Sequence, residues 1–193
     1  DRQPEFTQID VEMSYATEEL VMGIIERLLH TIFKKSMNID VPEKFERITF
    51  DTAFALYGCD KPDLRYELKI QDVSTLFEKT ELKFLQTVLL QGGKIGALHV
   101  NQKQFTRSEL EGWVNKALSM GAKGLLWIRF NEQGEVESPV AKFLAPDFLS
   151  KVQTVIPTVK AGDTLFLIAG KYSEAWTLLG RLRCALAAEL NLA

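Results

Sequence analysis

The chain opens on a period-two alternation. Read as a strand, residues 5–15 place Phe6, Gln8, Asp10 and Glu12 on one face and Thr7, Ile9, Val11, Met13 and Tyr15 on the other. An aromatic plate beside an amide and a carboxylate on one rigid strand is able to stack a planar base, hydrogen-bond a polar ligand and hold an ammonium group. The same pattern also describes an ordinary half-exposed sheet strand with one solvated face. The pattern then shifts to the helical period. Thr17 is placed to cap, Glu18 and Glu19 suit a first turn, and Leu20, Val21, Ile24, Ile25, Leu28, Leu29, Ile32 and Phe33 form a stripe ending near Lys34 and Lys35. That stripe is expected to pack on the Ile9, Val11 and Met13 side of the strand. A short strand over 47–50 is predicted next, then a short helix capped by Asp51, running through Ala53, Phe54 and Leu56 and stopped by Gly58.

From about Val73 the pattern restarts as an independent domain. Residues 85–90 and 95–100, separated by Gly92 and Gly93, read as a strand pair. Thr106 and Glu109 form a T-x-x-E capping box for a helix over 107–120. Its stripe is Leu110, Trp113, Val114, Ala117 and Leu118, and Gly121 supplies the stop. Residues 125–130 and 164–169 read as buried strands. A last helix over 173–190 turns Ala175, Trp176, Leu179, Leu182 and Leu186 inward. The expected class is α+β, with a two-layer α/β domain in the second part. The GGKIG turn lacks the spacing of either glycine-rich phosphate-binding motif.

At 193 residues and 46% hydrophobic content the chain is able to fill a sizeable core. No apolar run approaches the roughly 20 residues needed to cross a bilayer, and no cleavable signal is present, so neither a spanning nor a secreted protein is expected. Cys59 and Cys184 lack C-x-x-C spacing and a histidine cluster. A zinc site or disulfide framework is therefore not indicated, and both thiols are expected to be reduced. His30 and His99 lie in apolar patterns and are read as structural. The net charge of -3 is unevenly spread: residues 1–75 carry 9 basic and 15 acidic side chains, residues 76–193 carry 14 and 11. The mild basic excess of the second part suits either an RNA backbone or ordinary solvated surface.

Three strings carry a resemblance. DRQPEFTQID, at positions 1–10, resembles the second half of motif 2 in bacterial-type aspartyl-tRNA synthetases of class II. YGCDKPDLR, at 57–65, resembles the loop that family carries before its large insertion, and GAKGLLWI, at 121–128, resembles the core of the insertion (GAD) domain. Without the resemblance the 57–65 loop reads as a solvated turn. The resemblance implies part of a class II antiparallel-sheet catalytic domain over 1–74 and the insertion domain over 75–193. Binding chemistry at the extreme N-terminus leads to the expectation that the chain begins within a domain, with motifs 1 and 3 outside it.

By the same resemblance, Phe6 matches the residue on which the ATP adenine stacks and Gln3 one reaching the phosphate region. Gln8 matches a contact to the aspartate amino group, and Asp10 part of the polar lattice of the amino-acid pocket. Arg2 matches the edge of the loop that approaches the tRNA acceptor end. The implied reaction is aspartate activation by ATP, with Mg2+, then transfer to the 3′ end of tRNA, in a cytoplasmic homodimer built through motif 1. No catalytic or metal-binding side chain is expected within the 193 residues, which alone are expected to form no adenylate. The alternative is a noncatalytic RNA- or protein-binding module built on the insertion domain.

Overall fold

The computed structural model describes residues 3–193, which divide into two compact units meeting in sequence between Arg47 and Ile48. In the first, residues 3–17 form no strand. Alternation yields a strand only when a neighbour accepts its ladder hydrogen bonds, and none of the described residues pairs with this segment. This corrects the expected strand over 5–15. Helix α1, Glu18–Met37, follows the sequence closely. Thr17 accepts from the Leu20 amide at 3.3 Å, and Asn38 ends the helix in the left-handed region at φ 54, donating to Lys34 O. The chain then returns along α1. His30 Nδ1 lies 2.8 Å from Val41 O, and the buried Glu26 accepts from the Phe45 amide at 3.2 Å and Arg47 at 3.4 Å. The α1 stripe is not covered: Leu20, Val21, Ile25 and Ile32 are exposed, as are Ile9 and Val11, which corrects their expected packing.

The second unit is built on one antiparallel sheet. Its elements are α2 (Phe50–Tyr57), β1 (Ile70–Asp72), α3 (Lys83–Leu90), β2 (Lys94–Val100), α4 (Arg107–Ser119), β3 (Leu126–Phe130), β4 (Val136–Glu137), α5 (Phe148–Gln153), β5 (Thr164–Gly170) and α6 (Tyr172–Glu189). Strand order is β1-β2-β5-β3-β4, with Gly96 opposite Ile168 and Trp127 opposite Phe166. The class is α+β, as expected. Alternation along each strand feeds two cores. Leu98, Val100, Phe166 and Ile168 meet Leu110 and Trp113 of α4 and Trp176, Leu179, Leu182 and Leu186 of α6. Ile95, Ala97, Ile128, Leu165 and Leu167 meet Val73, Phe77, Leu85, Phe148 and Val152 on the opposite face. Each such apolar side chain contributes about 1.5–3 kcal/mol when fully buried, so this unit carries most of the hydrophobic stabilisation.

Helix α4 forms as its capping box dictates: the Thr106 hydroxyl accepts from the Glu109 amide, and the Thr106 amide donates to Glu109 Oε2 at 2.6 Å. Two expectations fail. Residues 47–50 are not a strand, because Thr49, rather than Asp51, caps α2 by accepting from the Thr52 amide at 3.2 Å. Residues 85–90 are the helix α3, and β2 takes its partners from β1 and β5 instead. Short apolar runs suit either state, and tertiary pairing decides between them.

Candidate functional site

The residues expected to bind ligand lie on an open segment. Gln3, Phe6, Gln8 and Asp10 are all exposed, Phe6 at 73%, and no hydrogen bond or ion pair among the described residues holds Gln3, Gln8 or Asp10. Arg2 lies outside the described residues. The residue types suit nucleotide and amino-acid recognition, but among the described residues no tertiary contact converges them into a pocket.

The 57–65 loop is far more ordered than a solvated turn. Gly58 ends α2 at φ +70, and a Cβ there would stand 2.0 Å from Trp176 O; one on Gly180 would stand 2.5 Å from Tyr57 O. Two glycines therefore let the end of α2 touch the backbone of α6. Trp176 Nε1 adds a hydrogen bond to Ala55 O at 2.8 Å. Beyond this junction Arg183 fastens the loop from within the core. It is fully buried, with Nε donating to Leu68 O at 3.0 Å and Nη2 donating to Asp63 O and Tyr66 O, both at 2.8 Å. Its guanidinium carbon lies 4.1 Å from the Tyr66 ring centroid and 4.8 Å from that of Tyr57. A rigid fork between two π faces fixes three backbone carbonyls within six residues, those of Asp63, Tyr66 and Leu68, at once.

Tyr57 is buried, whereas Asp60, Lys61, Leu64 and Arg65 are exposed. Asp63 Oδ2 accepts from Arg65 Nη2 at 2.6 Å and Nε at 3.2 Å, and this hydrogen bonding holds its carboxyl down at about 2. Burial, followed by the hydrogen bond with Cys184, pushes the Tyr66 hydroxyl up to about 12. Sequence reading missed Arg183, although its position was a usable signal. It stands four residues after Leu179 and three before Leu186, on the inward stripe of α6.

The string at 121–128 joins α4 to β3. Gly121 adopts φ +99, the Ala122 amide returns to Ala117 O at 3.0 Å, and Leu125 and Ile128 enter opposite cores. His99 is structural in this unit. Its Nε2 lies 2.7 Å from Asp163, a fully buried carboxylate that also accepts from the amides of Gln102 at 2.8 Å and Lys160 at 3.0 Å. Cys59 and Cys184 are both free thiols.

The chain is 38% identical over 193 residues to the aspartate–tRNA(Asp/Asn) ligase of Persephonella marina, 40% over 197 to that of Treponema denticola and 37% over 194 to that of Aquifex aeolicus. Each alignment covers 100% of this chain and 32–33% of the relative, so the chain spans about a third of the length of these relatives. The model of the family described as tRNA synthetases class II (D, K and N) matches residues 1–173, and the chain belongs to that family.

Proposed function

We propose that the chain is the part of an aspartate–tRNA ligase running from the second half of motif 2 through the insertion domain. The parent activates L-aspartate with ATP to the aspartyl-adenylate and transfers it to the 3′ end of tRNA. The observation that carries this reading is the alignment of the whole of this chain with about a third of each ligase of that name, at 37–40% identity. Catalytic-domain sequence is assigned to 1–74 and insertion-domain sequence to 75–193. The packing unit that starts at Ile48 thus includes the end of the former. A homodimeric, cytoplasmic parent belongs to the same reading.

The reaction joins an aspartate carboxylate oxygen to the α-phosphorus of ATP and expels pyrophosphate; the 3′-terminal ribose hydroxyl of tRNA then displaces AMP. Such chemistry needs positioning and charge neutralisation rather than a protein nucleophile. In this reading Phe6 stacks the adenine, Gln3 approaches the phosphates, Gln8 accepts from the aspartate ammonium through its amide oxygen, and Asp10 orders the surrounding lattice. Arg2 meets the acceptor end of tRNA. Among the described residues no group of three or more His, Cys, Asp or Glu side chains is arranged to hold a metal ion. No described helix is long and apolar enough to cross a membrane.

Asp10→Ala in the complete enzyme tests the assignment. Loss of a charged hydrogen-bonding group should lower kcat/KM for aspartate by about tenfold or more in pyrophosphate exchange, with the ATP dependence much less affected because Phe6 remains. An unchanged aspartate dependence would remove Asp10 from the pocket. The 193-residue chain alone should show no aspartate-dependent exchange, because the cationic groups that neutralise the α-phosphate are not assigned to it.

A further inference from the structure

In the ligase reading, residues 48–74 are catalytic-domain sequence and α6 is insertion-domain sequence, yet the two share one core. Phe54, Leu68 and Ile70 of the first pack with Trp176, Leu179 and Leu182 of the second. The α6 side chains that donate nitrogen hydrogen bonds across this boundary end on backbone carbonyls. Trp176 donates to Ala55 O, and Arg183 to Asp63 O, Tyr66 O and Leu68 O. At the same junction a Cβ on Gly58 would stand 2.0 Å from Trp176 O, and one on Gly180 2.5 Å from Tyr57 O. The catalytic-domain segment is therefore held by its chain path rather than by its side chains.

Arg183 is fully buried and makes no ion pair among the described residues. A buried cation without an ion pair is a costly way to fill a core. An apolar side chain there, with the carbonyls turned to water, would bury as much apolar surface. What the guanidinium adds is direction: its planar donors fix where three carbonyls of the catalytic-domain segment stand. Such placement matters to an enzyme whose chemistry depends on positioning, because a shift of about 1 Å in a supporting element is able to cost about a hundredfold in rate.

We propose that Arg183 is a positioning residue of the ligase reaction. From the insertion helix α6 it sets the path of residues 63–68, so that adenylate formation depends on it beyond its contribution to stability. The proposal rests on the ligase reading.

The experiment is ATP–pyrophosphate exchange by the complete enzyme, at a temperature where circular dichroism shows each variant folded. Arg183→Met should lower kcat about tenfold or more, and Arg183→Lys about threefold or more, since one ammonium does not span three carbonyls. Asp163→Asn is the control for stability: the Asp163 carboxylate bonds to His99, Gln102 and Lys160 and to none of residues 55–68. It should destabilise the same unit and leave kcat within about twofold. With an active wild type, exchange by Arg183→Met within about twofold of it overturns the proposal, as does an equal loss in Asp163→Asn, which would tie activity to stability alone. Should Arg183→Met not fold, Arg183→Lys decides, and wild-type exchange by it overturns the proposal. A wild type without aspartate-dependent exchange would instead fail the ligase reading, and the proposal with it.

Discussion

Replacing Arg183 by Met tests the central claim about the 57–68 segment, that a buried guanidinium holds its backbone. The substitution keeps length and apolar stem but removes the hydrogen bonds to Asp63 O, Tyr66 O and Leu68 O. Hydrogen bonds from a charged donor contribute about 1.5–3 kcal/mol each. Two π contacts at 4.1 and 4.8 Å add about 0.5–2 kcal/mol. Against this stands relief from burying a cation, whose Nη1 has no hydrogen-bond partner among the described residues. The carbonyls remain after the mutation. That of Tyr66 is buried, and an unpaired buried acceptor costs about 1–3 kcal/mol, whereas the other two are nearer to water. The net loss should be about 2–4 kcal/mol. Arg183→Lys should fall between, since one ammonium is unable to span three carbonyls. Urea unfolding followed by tryptophan fluorescence reads this directly, because Trp113, Trp127 and Trp176 all lie in the second unit. The midpoint should fall at constant m. Trypsin should also cut the Arg65–Tyr66 bond faster under native conditions. A Met variant within about 0.5 kcal/mol of the parent and no faster to cleave would refute the clamp, and would mean that the loop is held by α2 packing alone.

Three further outcomes follow from the same unit. Gly58→Ala should cost about 2 kcal/mol or more in the same urea assay, since the new Cβ meets Trp176 O at 2.0 Å at a φ of +70; a neutral substitution would contradict the close approach. Tyr66 should ionise above the ordinary tyrosine range, near 12, in an absorbance titration at 295 nm, and Tyr66→Phe should remove that step. Because its folded value is raised to about 12 from 10.0, its contribution to stability is complete below pH 10 and is lost as pH rises through 12. Asp163→Asn should destabilise by about 2–4 kcal/mol, because one amide oxygen does not replace a carboxylate accepting from two amides and His99; full stability by urea melt would show the carboxylate charge to be dispensable.

The helices and strands that the sequence specified are those whose determinants are local. Thr106 and Glu109 cap α4 from within four residues, Thr17 and the Lys34–Asn38 turn delimit α1, and the apolar runs of β2 and β5 mark strands buried on both faces. The family too was legible, because DRQPEFTQID, YGCDKPDLR and GAKGLLWI are read residue by residue without any fold. Tertiary structure decided whatever depends on a distant partner. Residues 5–15 carry a strand pattern but find no ladder neighbour among the described residues, so Phe6, Gln8 and Asp10 remain exposed. Residues 85–90 are apolar enough for a strand, yet β1 and β5 occupy both edges of β2, and the run becomes α3. Arg183 lies 115–120 residues from the carbonyls it holds. Its charge reads as surface in a linear sequence, and only the meeting of α6 with the segment after α2 gives it acceptors that make burial tolerable.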